Sequence, residues 1–372
     1  MPRIDAFLQI GREQGGSDIH FTVGLPPLVR LDGELAPIKY RELSHEEAED
    51  ILSEILSDSQ HEQFRKTGAV DLSYESTAVG RFRINVCRHN RGIGASCRVI
   101  PDKVPQLGEL GLPAVVSRFT AFRSGLVLVT GATGTGKTTT LAAMIDEINR
   151  TRNLNIITLE DPVEFIHTSQ KSLVIQKEVG TDVPSFNTGL RSVLRQDPDV
   201  ILVGELRDYE TVSLALEASE TGHLVFGTLH TRGAAQTIDR IVDAMPSDAQ
   251  LQVRHSLADN LKCVLSQELI RVVDGRGRRA ALEILVVTVA VAQLIREGKT
   301  FQIPGAITTG RRVGMQLMDQ SLLALVRAGE VDPDEAFLKA VEKEGFAHFV
   351  TRPELLNLVL LGGTPGADRK LA

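Results

Sequence analysis

Gly131-Ala132-Thr133-Gly134-Thr135-Gly136-Lys137-Thr138 is the stretch that decides the fold. It follows the apolar run Leu126-Val127-Leu128-Val129-Thr130 and precedes the helix-like segment from Thr139 to Asn149. Strand, glycine-rich turn and helix in that order let backbone N–H groups point inward at phosphate oxygens, with the positive end of a helix dipole behind them. On this reading Gly131 to Thr139 cradle the phosphates of ATP, Lys137 reaches the β- and γ-phosphates, and the Thr138 hydroxyl sits on Mg²⁺. The plain alternative is a glycine-rich turn in an unrelated α/β protein.

Working outward, four short apolar runs read as strands buried on both faces, as in a parallel sheet. They are Leu126 to Thr130, Asn155 to Leu159, Val200 to Val203 and Leu224 to Leu229. At their carboxyl ends stand, in turn, the glycine-rich loop, Glu160-Asp161, Glu205 and His230. Ligands bind at that edge of open α/β sheets, so the pattern converges on one site. Glu205 is placed to act on Mg²⁺ through water. Asp199, at the far end of its strand, reads as a turn or cap residue.

Hydrolysis needs a carboxylate that orients and deprotonates water. The segment Glu160-Asp161-Pro162-Val163-Glu164-Phe165 offers three around a proline. Glu164 is the candidate and Glu160 the alternative, against the plain reading of a solvated acidic turn. His223 and His230 flank a strand and so lie about 20 Å apart, too far to share a metal ion. His230 is expected to sense the γ-phosphate or orient water, and His223 to sit at the opposite end in a structural role or at a subunit contact.

The 372 residues suggest two domains, and the formal charge of −7 gives no support for nucleic-acid binding. Three scattered cysteines, Cys87, Cys97 and Cys263, form no disulfide framework or four-cysteine zinc site. The N-terminus shows no signal-peptide pattern, and the apolar stretch Ile284 to Ile295 falls short of a membrane span. A cytoplasmic protein is expected.

Residues 1–102 carry no nucleotide motif. Ile4 to Gln14 reads as an amphipathic helix, Ser17 to Thr22 and Pro27 to Leu31 as strands, and Asp32-Gly33 as a tight turn. Ser44 and Glu47 have capping-box spacing at the start of a helix. From Arg81 to Ile100, apolar and polar residues alternate on both sides of His89-Asn90-Arg91-Gly92. Closing that four-residue loop with Arg88 opposite Ile93 puts Phe82 on Val99, Ile84 on Cys97 and Val86 on Ala95. Arg83 then faces Arg98, and opposed like charges are destabilising without an anion between them. A phosphate clamp and a solvated pair are both open readings.

The proline- and glycine-bearing stretch 103–113 reads as a linker to a second domain, 114–361. From Ser247 the chain reads as mostly helical, with Leu251, Leu257, Leu261, Val264, Leu265 and Leu269 recurring at three- and four-residue steps. Arg271, Arg276, Arg278 and Arg279 read as a solvated turn, and residues 362–372 as a disordered tail.

From Ser17-Asp18-Ile19-His20 to about Leu322 the chain resembles the type IV pilus retraction ATPases of the PilT/PilU family, in the secretion ATPase superfamily. The resemblance rests on the glycine-rich loop, the acidic box Leu159-Glu160-Asp161-Pro162-Val163-Glu164-Phe165, Arg195 to Asp199 with Val203 to Asp208, and the histidine box Glu220 to Thr231. It implies a PAS-like α+β N-terminal domain, a RecA-like P-loop core with a helical C-terminal region, and a homo-hexamer holding Mg-ATP between subunits. It also implies that Arg83 and Arg98 reach a neighbour's nucleotide, that Glu164 activates water and that Glu205 is linked to the metal. The implied partners are an inner-membrane, PilC-like platform protein at the pilus base and a paralogous retraction ATPase. Ala290 to Glu297 resembles a retraction motif but departs at Val291, Ala292 and Gln293. Principal motor and accessory paralogue therefore both stand. Extension and type II secretion ATPases are a rival class, but that class generally carries the four-cysteine element absent here. A nucleotide-binding scaffold is a further rival.

Overall fold

Each of two β-sheets carries its own hydrophobic core in the computed structural model, which describes residues 2–31, 34–101, 103–274 and 277–360. The chain divides into two units, Met1–Lys103 with Glu164–Ile166, and Val104–Val163 with His167–Ala372. The turn expected at Asp32-Gly33, Arg276 and the expected tail at 362–372 lie outside the described residues.

The first unit holds β1 (Asp18–Thr22), β2 (Leu28–Leu31), β3 (Glu34–Pro37), β4 (Ala69–Ser76), β5 (Gly80–His89) and β6 (Gly92–Ile100). They form an antiparallel sheet in the order β3-β2-β1-β6-β5-β4. Alternation does the sorting. Ile19, Phe21, Phe82, Ile84, Val86, Ala95 and Cys97 enter one core with Ile4, Leu8, Ala48, Ile51 and Leu52 of the helices Ile4–Glu13 and His45–Ser53. Ser44 caps the second of these by accepting from the Glu47 N–H at 3.2 Å. The Glu47 carboxylate does not close the box but accepts from Tyr40 and Arg41. The reciprocal box forms one helix later, between Ser57 and Gln60.

The register expected for the Arg81–Ile100 hairpin is the one observed, Arg83 opposite Arg98 included. Pairing runs one step further than expected, to His89 opposite Gly92. The loop is therefore the two residues Asn90 and Arg91.

The second unit contains β7 (Gly125–Thr130), β8 (Asn155–Glu160), β9 (Leu173–Glu178), β10 (Val200–Val203), β11 (Leu224–Leu229), β12 (Leu261–Arg271) and β13 (Arg278–Val286). Their order is β13-β12-β7-β11-β10-β8-β9, parallel except for β13. Helices cover both faces. Leu126 and Leu128 of β7 enter one core, whereas Val127 and Val129 enter another that includes Ile145 and Ile148 of the helix Lys137–Thr151. Leu107, in the expected linker, is buried in that second core.

The region from Ser247 is less helical than expected. Leu261, Val264, Leu265 and Leu269 lie on β12, an eleven-residue strand, and β13 returns beside it. Leu251 and Leu257 do lie on a helix, Gln250–Asn260, and after β13 helices predominate again from Val289 onward, where Leu322, Val326, Phe337 and Phe346 build a fourth cluster against Ile270 and Ala281.

Candidate active site

The loop from Gly131 to Gly136 joins the end of β7 to the helix Lys137–Thr151. Gly131 has φ 142°, and a Cβ there would come within 2.4 Å of the Gln267 carbonyl oxygen. The loop is pressed against β12, and a side chain at this position would force it away.

Gln267 braces the loop from behind. This buried side chain donates to the Thr135 carbonyl at 2.7 Å and accepts from the Thr140 hydroxyl at 2.8 Å. One step earlier on β12, the Ser266 hydroxyl hydrogen-bonds Thr130 at 2.7 Å. Neither residue was found from sequence, because nothing local marks a glutamine 127 positions from its partner Thr140.

Lys137 is buried and donates from Nζ to the carbonyls of Gly131 at 2.9 Å and Ala132 at 3.0 Å. Its ammonium thus lies over the first carbonyls of the loop. No side chain caps the helix that Lys137 begins, and its first turn carries no acidic residue. The leading N–H groups and the dipole stay available to an anion. Thr138 and Thr139 follow, both half-buried.

At the end of β10, Glu205 meets a guanidinium and an imidazole: its Oε1 lies 2.8 Å from Arg207 Nε and 3.3 Å from His230 Nε2. Burial pushes the Glu205 carboxyl up, but the hydrogen bond and charge of Arg207, with His230, outweigh it and hold the group below the usual carboxylate range. His230 at the end of β11 and Glu205 at the end of β10 are therefore brought together, as the shared sheet edge predicts. His223, at the opposite end of β11, has its Nδ1 2.9 Å from the Ala218 carbonyl and ends the preceding helix. Asp199 is a cap, accepting from the Asn155 N–H at 2.8 Å.

A hydroxyl in the first turn of the helix and an ionised carboxylate at a strand end fit an ion bound largely by phosphate and water, which is how Mg²⁺ sits in nucleotide sites. Among the described residues no group of three or more His, Cys, Asp or Glu forms an all-protein metal cage.

The two candidate bases differ. Glu160 is buried and accepts from Thr158 Oγ1 at 2.6 Å and Gln176 Nε2 at 3.0 Å. Glu164 is half-buried, and its side chain makes no hydrogen bond or ion pair among the described residues. It follows the turn at Asp161-Pro162, a cis peptide, and belongs with Phe165 and Ile166 to the first unit.

On the other side of the loop lies a cavity of about 400 Å³ lined by Ala132 to Thr135, Glu268, Leu269, Arg271, Arg278, Glu335 and Lys339. Its arginines are the ones expected in a solvated turn. Across β12 and β13, Arg271 stands directly opposite Arg278. Glu335 holds Arg271 at 3.0 Å through Nε, and Lys339 pairs with the buried Glu268 at 2.7 Å. The Arg278 side chain makes no hydrogen bond or ion pair among the described residues.

A mostly parallel sheet covered on both faces, with a glycine-rich loop leading from one strand into a helix and an ionised carboxylate at a strand end two strands away, defines a P-loop protein of the RecA-like class. Residues 112–337 match the family described as type II/IV secretion system protein. The chain is 48% identical over 343 residues to the type IV pilus retraction ATPase PilT of Pseudomonas aeruginosa, covering 92% of this chain and 99% of that protein. It is 36% identical over 364 residues to the type IV pilus ATPase PilU of the same organism, covering 98% and 93%. The crystal structure of the pilus retraction motor PilT with bound ADP is similar with a TM-score of 0.86 and 42% identity, over 92% of this chain and 98% of that one. The chain belongs to the PilT/PilU family of type IV pilus retraction ATPases, within the type II/IV secretion system proteins.

Proposed function

We propose that this chain is an ATP-hydrolysing motor for type IV pilus retraction, acting as a homo-hexamer at the cytoplasmic base of the pilus. The observation that carries the reading is the meeting of the phosphate loop with the Glu205–His230 pair at one sheet edge, in a chain similar to PilT over nearly its whole length. An inner-membrane platform protein of the PilC type receives the motion, and a PilU-like paralogue is a further partner. No helix among the described residues is long and apolar enough to cross a membrane.

In the proposed mechanism the loop N–H groups hold the phosphates, and Lys137 turns from the Gly131 and Ala132 carbonyls to the β- and γ-phosphates. Thr138 and water held by Glu205 would bind Mg²⁺, which neutralises charge on those phosphates when present. His230 and Arg207 keep Glu205 ionised. Glu164 orients water and takes its proton; Glu160 already accepts two hydrogen bonds and is less free to do so. Arg83 and Arg98 of a neighbouring copy stabilise the transferring phosphoryl group. Because those arginines belong to another copy, hydrolysis changes how the copies sit, and this is the motion delivered to the platform.

The nucleotide's direction follows from the strand order. Glu205 lies on the β10 side of β7, so a metal ion shared between it and the phosphates would set the γ-phosphate on that side. Base and ribose then fall on the β12 side, in the cavity bounded by Leu269, Arg271 and Arg278.

Steady-state ATPase assays of wild type, Lys137→Ala and Glu164→Ala test the reading. Loss of nucleotide binding in Lys137→Ala and loss of turnover with binding retained in Glu164→Ala are expected. A wild-type hexamer that binds ATP without turning it over would favour a nucleotide-gated scaffold.

A further inference from the structure

The polar face of the first unit's sheet carries a row of charges at one level. Arg30 on β2 stands opposite Asp18 on β1, Asp18 opposite Arg98 on β6, and Arg98 opposite Arg83 on β5. The single anion in that row is the best held. The Asp18 side chain is 11% exposed and that of Arg98 65%. Asp18 Oδ1 accepts from Arg98 Nε at 3.0 Å, and Oδ2 accepts from Ser17 Oγ at 2.8 Å.

A bond through Nε leaves the outer edge of the guanidinium unused. Among the described residues the two terminal nitrogens of Arg98 make no other hydrogen bond, and the Arg83 side chain makes no hydrogen bond or ion pair. The opposed pair is thus asymmetric, with one arginine anchored and the other unanchored. His20, next on the same face, does not compete for Asp18 as a cation, because burial pushes its pKa down. An ion pair with so exposed a partner adds little to stability, so the burial of Asp18 and its bond to Ser17 need another reason.

We propose that Asp18 is a positioning residue for hydrolysis: it anchors Arg98 by Nε, so that the two terminal nitrogens present a pre-oriented fork to the phosphate of a neighbouring copy. The inference rests on the reading of Arg83 and Arg98 given above. A carboxylate, phosphate or sulfate oxygen pair matches that fork; a lysine ammonium does not reproduce it. Asp18 is suited to the task by length, because directly opposed residues on neighbouring strands have Cβ atoms only about 5 Å apart. Ser17 fixes the second carboxylate oxygen and with it the plane of the group.

The experiment measures ATPase turnover and the affinity for a fluorescent ADP analogue in the full-length assembly. The variants are Asp18→Asn, Ser17→Ala, Arg98→Ala, Arg98→Lys, Arg83→Ala and Asp18→Asn combined with Arg98→Ala. Asp18→Asn should lower kcat about tenfold, with KM and ADP affinity within about twofold. Ser17→Ala should shift kcat the same way by less. Arg98→Lys should behave like Arg98→Ala, and Asp18→Asn should add nothing once Arg98 is gone. The proposal is overturned if Asp18→Asn leaves kcat unchanged, or if it costs the same factor without Arg98. Should Asp18→Asn not assemble, Ser17→Ala decides, and an unchanged kcat there counts against the proposal. If Arg98→Ala and Arg83→Ala both leave turnover intact, the arginine reading itself falls; if they impair it and Asp18→Asn does not, only the role of Asp18 falls.

Discussion

Two hairpins in this chain set arginine against arginine: β5 and β6 oppose Arg83 to Arg98, while β12 and β13 oppose Arg271 to Arg278. In each, a carboxylate from elsewhere in the same unit holds one arginine through Nε at 3.0 Å, Asp18 in the first and Glu335 in the second. The side chain of the other arginine makes no hydrogen bond or ion pair among the described residues. Two such charges about 6 Å apart repel by roughly 0.7 kcal/mol in water and by about 3 kcal/mol at an effective dielectric of about 20. The cost is small on an open face and grows as the site closes, unless an anion enters. Where they differ is position. The first pair lies on the polar face of an antiparallel sheet, and the second lines the cavity beside the phosphate loop. The same device would then read two parts of one nucleotide, the transferring phosphate and the nucleoside end.

The comparison breaks most readily at the first pair. Replacing Arg83 with alanine should lower turnover by about a hundredfold or more while leaving nucleotide affinity nearly intact, since such an arginine acts mainly on transition-state charge. Steady-state rates beside equilibrium binding would show it, and an unchanged rate would reduce the pair to a solvated one.

Arg278→Ala should act the other way. We expect ADP affinity to fall about five- to thirtyfold, with the affinity for inorganic tripolyphosphate unchanged and kcat kept, because the lost contact belongs to the nucleoside. Equal losses for both ligands would instead place Arg278 on the phosphates. Glu335→Gln, which loosens Arg271 alone, should produce the smallest effect, about twofold in the same direction.

The two hairpins also differ in how far they could be read from residues alone. In Arg81 to Ile100 one face is apolar and the other polar, so a single register satisfies both and the arginine opposition follows. β12 is buried on both faces for most of its length and so has no alternation. Its leucines and valines at 261, 264, 265 and 269 imitate the period of a helix. The same ambiguity did not mislead at β7, β10 and β11, because each ends in a motif that needs a strand before it. Arg271 and Arg278 consequently looked like a solvated turn, and Gln267, whose contacts are all distant in sequence, left no trace. Of the three departures in the segment 290–297, Val291 and Ala292 are buried on one helix and Gln293 is exposed, so two of them are packing positions.

The central claim is that one copy's arginines serve another copy's nucleotide, and mixing two inactive variants tests it most directly. Lys137→Ala retains the arginines but not the phosphate loop, and Arg83→Ala retains the loop but not the arginine. If the service runs between copies, co-assembled mixtures should hydrolyse ATP well above either variant alone, with a maximum near equal proportions. Activity no greater than the sum of the two, in mixtures shown to share one ring, would contradict the account.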